Sequence, residues 1–255
     1  MSDYGQALLL TQLQRQMAPV SGRWFNKYGA NADVDTGSTP ELVWTPGGQY
    51  DWPSTATAME IVSTSTGDRS ASTGAHTVFV QGLGSSAGDT QSETVTLNGQ
   101  APVALANKYY RVNRMYLKSA GTNEVNIGTI SVRTLSSNTT HCNIIPTIGQ
   151  TLIGIWTVPG GKCARVRRVW AHFPMIGARS NATLDLHFRT GGVELTKHRF
   201  ALNTVIPEYK FEWPIGGPVA EALTDIYIEV MTVASNDTAI EAGFDVSIED
   251  AATGD

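Results

Sequence analysis

The 255-residue sequence is short of charge, of cysteine and of long apolar runs. Lys, Arg, Asp and Glu make up 16 % of it, against roughly 25 % in ordinary soluble domains. The net charge of −5 supplies no field to attract a phosphate backbone, so nucleic-acid binding is not expected. No apolar run approaches the roughly 18 residues of a spanning helix, so no membrane contact is expected. Met1 to Val20 has no early Lys or Arg, and Leu8-Leu9-Leu10 is too short for the apolar core of a secretory leader. Without export, Cys142 and Cys163 are expected as free thiols rather than a disulfide. The Asn-x-Ser/Thr triplets at Asn138, Asn181 and Asn236 then read as polar loops.

Catalytic patterns are equally sparse. Gly84-Ser85-Ser86-Ala87-Gly88 matches the form of a nucleophile elbow, but that device needs a strand, a strained turn and a helix. The next segment, Gln91 to Leu97, reads as a strand, so a hairpin loop is expected. The histidines His76, His141, His172, His187 and His198 form no H-E-x-x-H or H-x-H pattern, and neither cysteine joins a C-x-x-C. His187 and His198 flank Gly191-Gly192 and could meet across a hairpin, which makes a metal pair conceivable; ordinary strand histidines are the expectation. No carboxylate pair stands out as an acid/base couple. No catalytic residue, cofactor site or metal site is therefore expected, and the chain is read as a non-enzyme. The one basic cluster is Arg165-Val166-Arg167-Arg168. On a regular strand it places Arg165 and Arg167 on one face and Arg168 on the other. A solvated face is the expected reading, with a contact to an acidic neighbour or a glycan as the alternative.

What the sequence does contain is Ser, Thr, Asn, 25 Gly and short runs of β-forming residues. Only Tyr4 to Met17 has a helical period, through Leu9, Leu10, Leu13 and Met17, with Ser2 or Asp3 as cap and Pro19 as stop. Such a helix either packs on its own domain or docks elsewhere through Leu9 and Leu13. From Ser21 to Pro53 few regular signals appear, yet Trp24, Phe25, Tyr28, Trp44, Tyr50 and Trp52 punctuate the segment. The expectation is an extended arm whose rings fill pockets on another surface, with a self-packed loop as the alternative.

Beyond Pro53, strands are predicted at Ala58–Ser63, His76–Gln81, Glu93–Leu97, Lys108–Ser119 and Gly128–Leu135. After a polar connector, seven more follow: Gln150–Val158, Cys163–Phe173, Ala182–Thr190, Val193–Leu202, Tyr209–Trp213, Asp225–Val233 and Ala239–Glu249. Asn98-Gly99, Pro159-Gly160-Gly161 and Gly191-Gly192 are turn signals between them. Ile226, Ile228, Val230 and Thr232 alternate with Asp225, Tyr227, Glu229 and Met231, as in a half-buried strand. The expected fold is all-β: a helix and arm (residues 1–53), a small β-domain (54–138) and a β-sandwich (139–255), jelly-roll-like or immunoglobulin-like.

Several stretches resemble structural proteins of tailed-bacteriophage virions. They are Asn26 to Thr36 with Pro40-Glu41-Leu42-Val43-Trp44, Gly48 to Pro53, Glu93 to Gly99, Tyr110 to Arg114, and Ala120-Gly121 with Asn126 to Ile130. Gly149-Gln150-Thr151 and Thr157 to Lys162 continue the resemblance. Ala30 stands where a basic residue is expected after Gly29. The resemblance implies a virion component, decorating the capsid or forming part of a tail fibre or adaptor and assembled in the host cytoplasm. Its implied partners are copies of itself, as a homotrimer, and capsid, portal or tail proteins. A carbohydrate-binding module that contacts a host glycan is the alternative, with Trp156, Trp170 and Trp213 as candidate stacking residues.

Overall fold

The computed structural model describes residues 23–37, 39–85, 87–135, 137–175, 181–214 and 216–251. The expected helix, with Leu9 and Leu13, lies outside the described residues. Every regular element described is a strand. In chain order they are β1 (Arg23–Val34), β2 (Glu41–Leu42), β3 (Thr57–Ser63), β4 (Ala75–Leu83), β5 (Thr90–Thr96) and β6 (Val103–Tyr109). Next come β7 (Arg111–Ala120), β8 (Ile130–Thr134), β9 (Thr140–Ile144), β10 (Ile155–Thr157), β11 (Lys162–His172) and β12 (Asn181–Thr190). The chain closes with β13 (Val193–Asn203), β14 (Glu208–Glu212), β15 (Val219–Ala220), β16 (Asp225–Val233) and β17 (Thr238–Asp250).

Four antiparallel sheets enclose two main cores. The larger pair has one sheet in the order β1-β17-β11-β14, with β15 beside β11, and a second in the order β10-β16-β12-β13, with β2 beside β16. Along β17, Ile240, Ala242, Phe244 and Val246 point inward, against Leu184, Leu186, Ile226 and Ile228 of the second sheet. That strict alternation is what a strand with one buried face requires. The smaller pair, β6-β3-β8-β9 and β5-β4-β7, closes around Met59, Ile61, Val78, Val80, Val112, Met115, Ile130 and Val132.

Two placements depart from the sequence expectation. The segment read as an extended arm begins with β1, which runs antiparallel to the last strand, with Arg23 opposite Ile248 and Asn31 opposite Ile240. Its Gly29 is required by close approach: a methyl group there would stand 2.0 Å from the Val43 carbonyl oxygen and 2.3 Å from the Gly154 nitrogen. The second departure is β9, which pairs with β8 and so completes a sheet of the smaller unit rather than opening the larger one. The smaller pair of sheets is thus strung between β2 and β10, both of which belong to the larger.

The rest of the expected arm caps the outer face of β16. Leu42, Trp44, Tyr50 and Trp52 pack with Ile153, Ile155 and Tyr227 in a third apolar cluster. Asp225 to Val230 are consequently buried on both faces, not half-buried as their alternation implied. Trp44, Tyr50 and Trp52 meet edge-to-face, with ring centres 5.1 and 4.7 Å apart.

Between the two pairs of sheets lies a buried ion pair. Arg111 of β7 donates from Nε and Nη2 to the two oxygens of Asp225 at 2.9 and 3.0 Å. The same carboxylate accepts from Thr157 Oγ1 at 2.5 Å and faces Arg189 at 3.6 Å. Lys27 of β1 reaches across the same junction and donates to the Asn113 carbonyl of β7. Within the smaller unit, buried Asp68 gathers a loop by accepting from the nitrogens of Ala75, Ile127 and Gly128 and from Ser63 Oγ.

Candidate functional site

The two outer faces of the larger pair of sheets are treated differently. One is covered by residues 42–52, as above. The other, on the β1-β17-β11-β14 sheet, has no such cover among the described residues. It carries Trp24 and Tyr28 from β1, Glu241, Asp245 and Ser247 from β17, and Arg167, Arg168, Trp170 and His172 from β11.

A bulge in β11 shapes this face. Register with β17 slips between Val166 and Arg168, while Val166 and Val169 both stay in the core. The extra residue brings Arg168 to the same side as Arg167, correcting the regular alternation expected from the sequence. Arg168 then pairs with Asp245 at 2.5 Å, and Arg167 Nε donates to Ser247 Oγ at 3.2 Å. The Arg167 guanidinium lies 5.6 Å from the ring centre of Trp24, which is 55 % exposed.

The aromatic row beside it rests on a glycine. A methyl group at Gly243 would stand 2.7 Å from the Trp170 ring, so the indole lies over the bare backbone of β17. Trp170 stacks on His172 at 5.9 Å, and Tyr28 approaches from the other side at 6.3 Å. His172 Nε2 is 3.3 Å from Glu241, and the Tyr28 hydroxyl accepts from Gln150 at 2.6 Å. The face thus offers flat rings beside fixed polar groups.

The expected anchors therefore separate. Trp44, Tyr50 and Trp52 sit against this chain's own sheet. Phe25 packs at the edge of the main core, 4.8 Å from the Trp156 ring. Trp24 and Tyr28 are on the uncovered face. Of the candidate sugar-stacking residues, Trp156 is buried and Trp213 packs against the core, whereas Trp170 belongs to that face.

Chemistry-bearing groups elsewhere fall as follows. The loop Gly84 to Gly88 joins β4 to β5, and Ser85 Oγ donates to Asp89 rather than to a histidine. Both cysteines are free, Cys142 buried and Cys163 partly exposed. His187 and His198 do not meet. His198 lies among Tyr209, Phe211 and Trp213, whereas His187 stacks on Tyr227 at 5.3 Å. Two groups of side chains bring potential metal ligands together: His187 with Glu194 and Glu229, and the exposed set Asp33, Asp35 and Asp237. The Asp237 carboxylate, by accepting a hydrogen bond from protonated Asp33 and by its charge, raises the Asp33 carboxyl above its ordinary value. Sequence spacing alone did not reveal the first group, because Glu229 reaches His187 from a different strand.

The fold and this face define the class: an all-β protein of paired antiparallel sheets, one of whose outer faces has no cover among the described residues. No family model matches the chain, and no curated protein matches it. Three solved structures share a faint likeness. The structure of infectious bursal disease virus Gt strain is 13 % identical, over 92 % of this chain and 77 % of that one, with a TM-score of 0.20. The VP2 subviral particle of the same virus is 12 % identical over 97 % and 77 %, with a TM-score of 0.19. The N-terminal CBM22-1-CBM22-2 tandem domain of Paenibacillus barcinonensis Xyn10C is 14 % identical over 91 % and 95 %, with a TM-score of 0.21. Scores of this size carry no argument for either function.

Proposed function

We propose that this chain is a non-enzymatic structural component of a virion, of the tailed-phage kind, that assembles with copies of itself and with neighbouring virion proteins. Two β-sandwich domains form its body, and a homotrimer is its assembled state. The observation that carries the reading is the asymmetry of the two outer faces. One is capped over β10 and β16 by the chain's own aromatic segment, while the other, without such a cap among the described residues, presents Trp24, Arg167, Tyr28 and Trp170. A large aromatic beside an arginine is the composition favoured at the centre of protein interfaces. The low charge fraction and the resemblance to phage structural proteins support the same reading. In a homotrimer this face meets the next copy, and the N-terminal segment ahead of β1 reaches other virion proteins.

Light scattering on a size-exclusion column tests this directly. The wild-type chain is expected at three times the monomer mass, and Trp24→Ala with Arg167→Glu is expected to shift it to the monomer. A wild-type chain that stays monomeric at high concentration would sink the proposal. A second reading rests on the Tyr28–Trp170–His172 row, whose rings and flanking Asn26 and Glu241 are the groups a pyranose stacks on and bonds. That carbohydrate-binding reading predicts glycan-array signals that Trp170→Ala abolishes.

A further inference from the structure

We infer that His187, Glu194 and Glu229 form a binding site for a divalent transition-metal ion at the root of the β12–β13 hairpin. His187 is 5 % exposed, and neither of its ring nitrogens has a hydrogen-bond partner among the described residues. A buried imidazole with two idle nitrogens is unusual, because each desolvated polar atom normally finds a partner. Both nitrogens instead face carboxylates. Nδ1 is 3.2 Å from Glu194 Oε1, and Nε2 is 3.5 Å from Glu229 Oε2 and 3.7 Å from Asp185 Oδ2. With one ligand atom taken from each of His187, Glu194 and Glu229, all three lie within 4.8 Å of one another, close enough to converge on one ion through metal–ligand bonds of about 2.0–2.2 Å after small side-chain rotations.

The surroundings fix the ligands without neutralising them. Tyr227 stacks on the imidazole with the ring planes 19° apart, which holds its orientation. Gln49 Nε2 donates to Glu229 Oε1 at 3.0 Å, leaving Oε2 turned to His187. Asp185 is already taken: Arg199 binds both of its oxygens, at 2.7 and 2.6 Å. Two carboxylates, Glu194 and Glu229, therefore remain beside the imidazole with no Lys or Arg paired to them among the described residues, and a divalent ion balances that charge. One imidazole nitrogen takes the ion while the other donates to a carboxylate oxygen that the ion leaves free, the arrangement that orients metal-bound histidines. One nitrogen and two carboxylate oxygens suit Zn2+ or Mn2+ better than Mg2+. The Glu194 side chain is 43 % exposed, so an ion has an entry path and a position open to water. The site would tie an exposed edge hairpin to the third apolar cluster through Tyr227.

Calorimetric titration of chelator-treated, full-length protein with ZnCl2 tests this. One equivalent is expected to bind with micromolar or tighter affinity, and Glu194→Gln is expected to weaken it at least tenfold. Glu194 is partly in solvent and the change is isosteric, so that variant keeps the fold; His187→Asn provides a second, independent loss. Asp237→Asn, in the exposed acidic set, is expected to leave binding unchanged. Absence of a stoichiometric site, or one that survives both Glu194→Gln and His187→Asn, overturns the inference. Equal loss in Asp237→Asn would also overturn it.

Discussion

Replacing Arg111 with Ala is the most informative single perturbation of this fold. The guanidinium and Asp225 are each about 3 % exposed, and the pair joins elements from both pairs of sheets. Truncation removes two charge-assisted hydrogen bonds and a donor to the Pro53 carbonyl at 2.6 Å. It also leaves the Asp225 carboxylate buried. Breaking a buried pair from one side costs about 3–5 kcal/mol, because an uncompensated charge stays behind. Arg189, at 3.6 Å from the same carboxylate, offsets part of that cost and places the expectation near the lower end. The guanidinium also lies 4.0 Å from the ring centre of Tyr110 and 5.3 Å from that of Trp52, each contact adding about 0.5–1 kcal/mol. A loss of about 4–5 kcal/mol is therefore expected, equivalent to a fall in Tm of roughly 8–20 °C in a chain of this size. Urea unfolding followed by tryptophan fluorescence measures it. Arg111→Lys should lose nearly as much, since an ammonium cannot reproduce the two-pronged geometry. Arg111→Met with Asp225→Leu should recover much of the loss, because no charge is then stranded. A loss below 1 kcal/mol in Arg111→Ala would refute the reasoning.

Stability should depend on pH through Lys27. Burial lowers its folded-state pKa to about 7 from an ordinary 10.5, so from pH 7 upward the unfolded chain holds a proton that the folded chain has released. Stability then rises by up to about 1.4 kcal/mol per pH unit between pH 7 and 9. Above pH 9 Cys142 opposes it: burial pushes that thiol up to about 12, so the folded chain keeps a proton that the unfolded chain loses. Lys27→Met should flatten the rise between pH 7 and 9, and an unchanged slope would exclude Lys27 as its source. Asp68→Ala strands three backbone donors and a serine hydroxyl in the smaller unit. It should cost about 3 kcal/mol or more in urea unfolding, and Asp68→Asn, which can satisfy only some of those donors, should cost less.

Much of the strand inventory was legible in the sequence because local pattern carried it. Twelve strands were expected, and segments close to each are present; Gly191 and Gly192, both with positive φ, make the β12–β13 turn that their pairing announced. Lys108–Ser119 is instead two strands, split at Tyr110, and β1, β2, β6, β9 and β15 were not anticipated. The sequence of β1, with Asn, Gly and Ala among its residues, has little intrinsic strand preference. It is a strand because β17 offers it an edge more than two hundred residues later in the chain. The candidate sites divide along the same line. Single residues such as Trp24 and Tyr28 stand out by type alone, but their grouping with Trp170 across β17, and that of His187 with Glu229, depends on pairing partners remote in sequence.

By itself, then, the sequence determined the all-β class, most of the strands and the scarcity of charge, since period-2 patterning and turn residues act over a few neighbours. Only the tertiary structure decided what the aromatic segment does. The bare backbone of Gly29 and the apolar groups around Tyr227, Ile153 and Ile155 let residues 42–52 fold back on the chain. There, burying Trp44 and Tyr50 removes apolar area from water without the entropy of recruiting a second molecule. Among the described residues, long-range pairing settled which outer face is capped.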